Sequence, residues 1–169
     1  GRDSEALRIA VLSQTMWKLA DPPRQGSFTG HISNDSAAPN PRPCPSLTKA
    51  LDRLSANTLT ALDFTCTVNA LGAEGVGLVA AGLRENESLT TLQLHGAGAG
   101  DRGARWLARA LAENETLTVL DCRSNEISDA GVSALADTLR VSNRTLTSLG
   151  MRHNGVGEVG GTALLRALG

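Results

Sequence analysis

An α/β solenoid, with a parallel sheet along one side and helices along the other, is the fold class this sequence predicts, and three observations predict it. The tetrapeptides Leu59-Thr-Ala-Leu62, Leu89-Thr-Thr-Leu92, Leu117-Thr-Val-Leu120 and Leu146-Thr-Ser-Leu149 recur at intervals of 30, 28 and 29 residues, and a fixed period of this size marks stacked supersecondary units. A turn position shared by Asn69, Ala97, Asn125 and Asn154 is followed six residues later by Gly75, Gly103, Gly131 and Gly160. Ten and fourteen residues after the turn come Val79, Leu107, Leu135 and Leu164, then Leu83, Leu111, Leu139 and Leu168. That spacing of four places both sets on one helical face.

Each block opens as a strand. Leu62 and Phe64, Leu92 and Leu94, Leu120 and Cys122, and Leu149 and Met151 are spaced by two, so these side chains point to the same side of an extended chain. One strand and one helix cannot bury an apolar face alone, whereas stacked copies can. About four repeats are expected, over residues 59–169. The composition agrees: hydrophobic residues are 41% of the chain but aromatics only 2%, so Leu, Val and Ala must fill the core. Small stacked layers suit them better than one large globule.

The order strand, turn, Gly, helix resembles the leucine-rich repeats of the ribonuclease-inhibitor-like class. Leu117 to Gly131 (LTVLDCRSNEISDAG) follows the pattern L-x-x-L-x-L-x-x-N-x-I-x-D-x-G almost position for position, and the likeness runs from Leu59 to Gly169. The resemblance implies a curved solenoid with the parallel sheet on its concave side and helices on its convex side. It also implies structural roles for Asn69, Asn125 and Asn154, whose amides would satisfy backbone groups of neighbouring turns. Two departures stand out: the first repeat has two extra residues between Phe64 and Asn69, and the second has Ala97 in place of Asn. A bulge is expected at the first turn, and a water or a looser turn at Ala97.

Upstream, Ser46 to Asn57 reads as the helical half of an earlier repeat (residues 46–58), with Leu47, Ala50, Leu51 and Leu54 on one face and Ser46 as its cap. Residues 22–45 hold all six prolines together with Gly, Ser and Asn, which is linker chemistry. Residues 1–21 contain an amphipathic helix candidate at Ser4 to Ala20. The last helix ends at Leu168-Gly169 without a polar terminal repeat, which leads to the expectation that Leu164, Leu165 and Leu168 are partly open and form a contact surface.

Several function classes are disfavoured. A net charge of −1, with 16 basic and 17 acidic residues interspersed, offers no field for a phosphate backbone, so no nucleic-acid partner is expected. Cys44, Cys66 and Cys122 lack metal-site spacing, and neither a metal nor a cofactor is expected. No apolar run reaches the ~18 residues of a membrane span. The stretch His95-Gly-Ala-Gly-Ala-Gly100 lacks the Lys and Ser/Thr of a phosphate loop and coincides with an ordinary repeat turn. His31, His95, His153 and Ser124 do not suggest a converging nucleophile and base, so no enzyme is expected. Asn34, Asn86, Asn114 and Asn143 each begin an Asn-x-Ser/Thr triplet, and three of these recur in phase with the repeat, which gives them a structural reading.

What remains is surface. Strand residues between the inward positions should line the concave face, where Asp63, Gln93 and Asp121 form a polar row and His95, Arg123 and Arg152 a basic one. The expected function is a non-catalytic protein-interaction scaffold or structural subunit of a larger assembly, binding protein partners at this face and at the open end. An enzyme inhibitor or activator of a small GTPase is the alternative. The expected setting is intracellular, cytoplasmic or cytoskeletal, with an organelle also compatible.

Overall fold

The computed structural model describes residues 46–65 and 71–168. The N-terminal helix candidate, the proline-rich arm and the first turn with Asn69 lie outside these residues, as do His31, Asn34, Cys44 and Cys66.

The chain runs α1 (Leu47–Ser55), β1 (Ala61–Asp63), α2 (Gly72–Arg84), β2 (Thr91–Gln93), α3 (Gly100–Glu113), β3 (Val119–Asp121), α4 (Asp129–Val141), β4 (Ser148–Gly150) and α5 (Glu158–Ala167). The strands form one parallel sheet in the order β1-β2-β3-β4. Register follows the repeat: Leu62, Leu92, Leu120 and Leu149 stand opposite one another, as do Asp63, Gln93, Asp121 and Gly150. Each strand is only three residues long, yet stacking makes the pairing continuous.

The core lies between sheet and helices. From the strand side it takes Leu62, Leu92, Leu120 and Leu149, with Phe64, Leu94, Cys122 and Met151. From the helices it takes Val79, Leu107, Leu135 and Leu164, with Leu83, Leu111, Leu139 and Leu168. The periods of two and four seen in the sequence converge on this one layer. In α1 the Ser46 hydroxyl accepts the Lys49 N–H at 3.4 Å, and Ala50 and Leu54 are buried.

Three polar ladders run between repeats and satisfy the backbone where strands and helices end. At the turns, the Asn125 amide donates to the carbonyls of Leu94 (2.7 Å) and Arg123 (3.0 Å), and its oxygen accepts the Ala99 N–H. Asn154 repeats this one unit on, donating to Cys122 and Met151 and accepting from Asn125 and Ile127. Each asparagine thus serves the turn before its own. Ala97 is fully buried and its own backbone groups are paired: the Ala97 N–H donates to the Leu94 carbonyl, and the Ala97 carbonyl accepts the Gly72 N–H, while the Asn125 side chain bonds the Leu94 carbonyl and the Ala99 N–H of the same turn. An amide at 97 would serve the first turn, which lies outside the described residues.

At the helix ends, Asn86, Asn114 and Asn143 reach back to the carbonyls of Leu54, Leu83 and Leu111 at 2.7, 2.8 and 2.8 Å. These carbonyls lie in the last turn of the preceding repeat's helix, where intrahelical partners run out. The same three amide oxygens accept the N–H groups of Leu89, Leu117 and Leu146, two residues before the next strands begin.

The third ladder joins helix N-termini. Asp101 accepts the Ser128 N–H (2.7 Å), the Ser128 hydroxyl (2.6 Å) and the Gly131 N–H (3.1 Å). Asp129 accepts the N–H groups of Gly157 and Gly160 one unit on. A carboxylate from one repeat therefore caps the helix of the next, where free N–H groups and the helix dipole favour negative charge.

The Gly-rich stretch also finds its reason in the turn. Gly96 and Gly98 adopt positive φ of 66° and 75°, and the equivalent Ser124 and Glu126 take 55° and 58°. The first position is left-handed again at His153 in the fourth turn, whereas Gly155 at the second is not; glycine adopts this conformation without a Cβ penalty.

Candidate functional site

The sheet face turned away from the helices carries the sequence-predicted polar residues. Strand register sets Asp63, Gln93 and Asp121 in one row, ending at Gly150. One step along, backbone bonds from Gly96 to Arg123 and from Ser124 to Arg152 continue the same parallel alignment, which places His95, Arg123 and Arg152 in a second row. Asp63 and Arg152 are exposed, while Gln93, His95 and Arg123 are partly covered.

The two rows are not independent. Arg123 folds onto Asp121 two residues earlier, with Nε donating at 2.8 and 2.9 Å and the terminal nitrogen at 2.5 Å. The Asp121 side chain is 12% exposed and that of Arg123 42%. Much of the Arg123 charge is thereby spent within the strand, and Asp121 is a buried clamp rather than a free carboxylate. Gly150 makes room for this, since a Cβ there would lie 2.9 Å from the Asp121 Oδ1. Asp63 is likewise engaged, accepting the Thr65 N–H at 2.8 Å. The face offers a mixed surface of His95, Gln93 and Arg152 around the closed Asp121–Arg123 pair, in place of an open basic row beside a polar one.

The expectation for the last helix needs correction. Leu164 is 3% and Leu168 7% exposed, so both belong to the core and neither is open; Leu165, at 48%, is the exposed member of the three. The ten-and-fourteen positions point between helix and sheet within their own repeat, not along the axis of the stack. Val159 in the same helix is more exposed still, at 67%.

Among the described residues no group of three or more His, Cys, Asp or Glu gathers as a metal site would require, and no buried side-chain polar atom lacks a hydrogen-bond partner. No described helix is long and apolar enough to cross a membrane. Cys122 is buried in the core, and burial first, then the neighbouring Asp121 charge, push its thiol well above the ordinary range.

Sequence reasoning missed two features. The phase of the Asn-x-Ser/Thr triplets gives them a structural reading but does not show that the buried Asn carries most of the bonding, for which its recurrence at 86, 114 and 143 is the available signal. The outward pair Leu78 and Trp106, 28 residues apart and both exposed, is the second, and its only signal in the sequence is that each directly precedes an inward position of its repeat.

Residues 113–136 and 142–165 match the family model described as Leucine Rich repeat. No curated protein matches the chain. Among solved structures it is similar to one titled "Leiomodin-1 Actin-Binding Site 2 (ABS2)", at 22% sequence identity and a TM-score of 0.59, with 74% of this chain and 91% of that chain covered.

Proposed function

We propose that this leucine-rich-repeat protein is a non-catalytic interaction module, and that it serves as a scaffold or structural subunit within a larger protein assembly. The observation that carries the reading is the sheet face: four strands in register present a polar surface whose supporting backbone is pinned by three inter-repeat ladders. Such a surface is rigid before a partner arrives, so little ordering cost opposes binding. The full α-helix in every repeat supports the ribonuclease-inhibitor-like class in particular. An intracellular setting fits the Asn86, Asn114 and Asn143 amides, which are buried and hydrogen-bonded and so closed to glycan attachment.

The proposed contacts are Gln93, His95 and Arg152 on the sheet face around the Asp121–Arg123 pair, with Asp63 at its β1 edge, and Leu165 with Val159 on α5. The test is affinity capture from the native source, followed by mass spectrometry, with two variants. Joint replacement of Gln93, His95 and Arg152 by Ala is expected to remove the recovered subunits, and Val159→Asp with Leu165→Asp to remove those held at α5. Leu164→Asp and Leu168→Asp are unsuitable, because they would break the core. Full recovery by both variants would sink the proposal, and a captured enzyme whose rate changes on binding would favour a regulator instead. The actin-binding neighbour makes filamentous actin a defined partner to include, by co-sedimentation with the same variants.

A further inference from the structure

A second surface lies on the helical side, away from the sheet face. Leu78 in α2 and Trp106 in α3 occupy the same position of successive repeats, each directly before an inward residue, Val79 or Leu107, that is fully buried. They therefore point outward side by side, 52% and 38% exposed. The same position in α4 and α5 holds Ala134 and Ala163, so the large apolar side chains are confined to α2 and α3.

The indole of Trp106 is held in place. A Cβ at Gly77 would lie 3.2 Å from its Cδ1 and 3.4 Å from its Nε1, so the missing side chain on α2 is what lets the ring rest against that helix. The Arg109 guanidinium carbon sits over the ring, 5.1 Å from its centroid, within the range of a cation–π contact. Arg105 precedes Trp106 on the same helix. The acids of α3 are engaged elsewhere: Glu113 pairs with Arg84 at 2.7 Å, and Asp101 caps the next helix through Ser128 and Gly131. Arg102 pairs with Glu74. Among the described residues neither Arg105 nor Arg109 has a carboxylate within 4.0 Å, although Arg105 is near enough for its charge to act on Asp101.

We propose that this face, centred on Trp106 with Leu78, Arg105 and Arg109, docks an acidic segment of a partner protein that carries a large apolar anchor residue. Guanidinium and indole N–H groups donate and do not accept, so the complementary groups are carboxylates. The exposed Leu78 beside the ring supplies a contact for an apolar side chain. Trp and Arg are the residue types that most often dominate binding energy when a partner excludes water from them. The chain's balanced charge favours a protein segment over nucleic acid here.

The test uses the full chain with Trp17→Phe, which leaves Trp106 as the sole tryptophan and its emission as the reporter. Short random peptides are selected on this protein, and their affinities for it and for two variants, Arg105→Glu with Arg109→Glu, and Trp106→Ala, are measured by the anisotropy of a fluorophore on the peptide, with Trp106 emission followed where the tryptophan is present. Selected peptides are expected to combine Asp or Glu with Leu or Phe and to shift Trp106 emission saturably. They should weaken with added salt and lose at least about tenfold in affinity to either variant. The charge variant touches no core residue, but Arg105 acts on the capping Asp101, so its melting temperature is compared with the parent's and Arg109→Glu alone keeps the result readable if either variant unfolds. Overturning results are a selection that yields no peptide dependent on these residues, selected peptides without acids, tighter binding of poly-uridine RNA, or an emission change on dilution that marks a second copy as the occupant.

Discussion

Glu126 holds a left-handed backbone with φ of 58° in the third turn, where the second turn has Gly98. Its side chain is exposed, so nothing in the fold repays the strain of a Cβ there. Glu126→Gly is expected to raise stability by about 0.5–1 kcal/mol, net of the extra freedom that glycine brings to the unfolded chain. Denaturant unfolding with an unchanged slope would show it. Cys122 illustrates the opposite case, a residue whose chemistry is silenced by its place. With the thiol buried and its ionisation pushed up, it is expected to resist iodoacetamide in the native protein and to react only on unfolding, as mapped by peptide mass spectrometry.

At the scale of the element, the ladders matter more than helix propensity. Asn114 donates to the carbonyls of Leu83 and Asn86 and accepts from Thr116 and Leu117, all in a site 3% exposed. Asn114→Ala leaves several buried backbone groups without partners, at about 1–3 kcal/mol each. A total loss above about 2 kcal/mol is expected in chemical denaturation. Asp101 links α3 to α4 by charge. Burial alone would raise its carboxyl, but the hydrogen bonds from Ser128 and Gly131 and the nearby Arg105 outweigh this and hold it below the ordinary aspartate range. The folded value being the lower one, its stabilisation is present at and above about pH 4 and is lost as pH falls further. Asp101→Asn should therefore flatten the acid side of the melting-temperature profile. Gly131 belongs to the same joint, since a Cβ there would stand 2.6 Å from the Asp101 Oδ1 and 2.7 Å from the Ile127 Cγ2.

For the whole molecule, the alternation within one strand separates stability from function. Leu92 is fully buried behind β2, while its neighbour Gln93 lies on the open face. Leu92→Ala is expected to cost about 2–5 kcal/mol. Gln93→Ala with His95→Ala should stay within about 0.5 kcal/mol in thermal or denaturant unfolding. Loss of partner capture by the second variant would then be an effect on the surface itself. Because each repeat touches only its neighbours, damage at Leu92 should act first on the β1–β2 and β2–β3 interfaces that its own repeat makes.

By itself the sequence determined the repeat, the strand and helix of each unit, the inward residues and the rows of the sheet face, because a period of 28 to 30 residues with spacings of two and four admits one stacked arrangement. The polar ladders were half legible: the asparagines recur visibly, but which carbonyl each one reaches depends on the offset between neighbouring repeats. Tertiary structure alone decided that Arg123 closes on Asp121, that Leu164 and Leu168 are buried while Leu165 is not, and that Trp106 rests against Gly77 under Arg109. Those outcomes depend on side-chain direction and on the distance between adjacent helices, and neither quantity is written in a one-dimensional spacing.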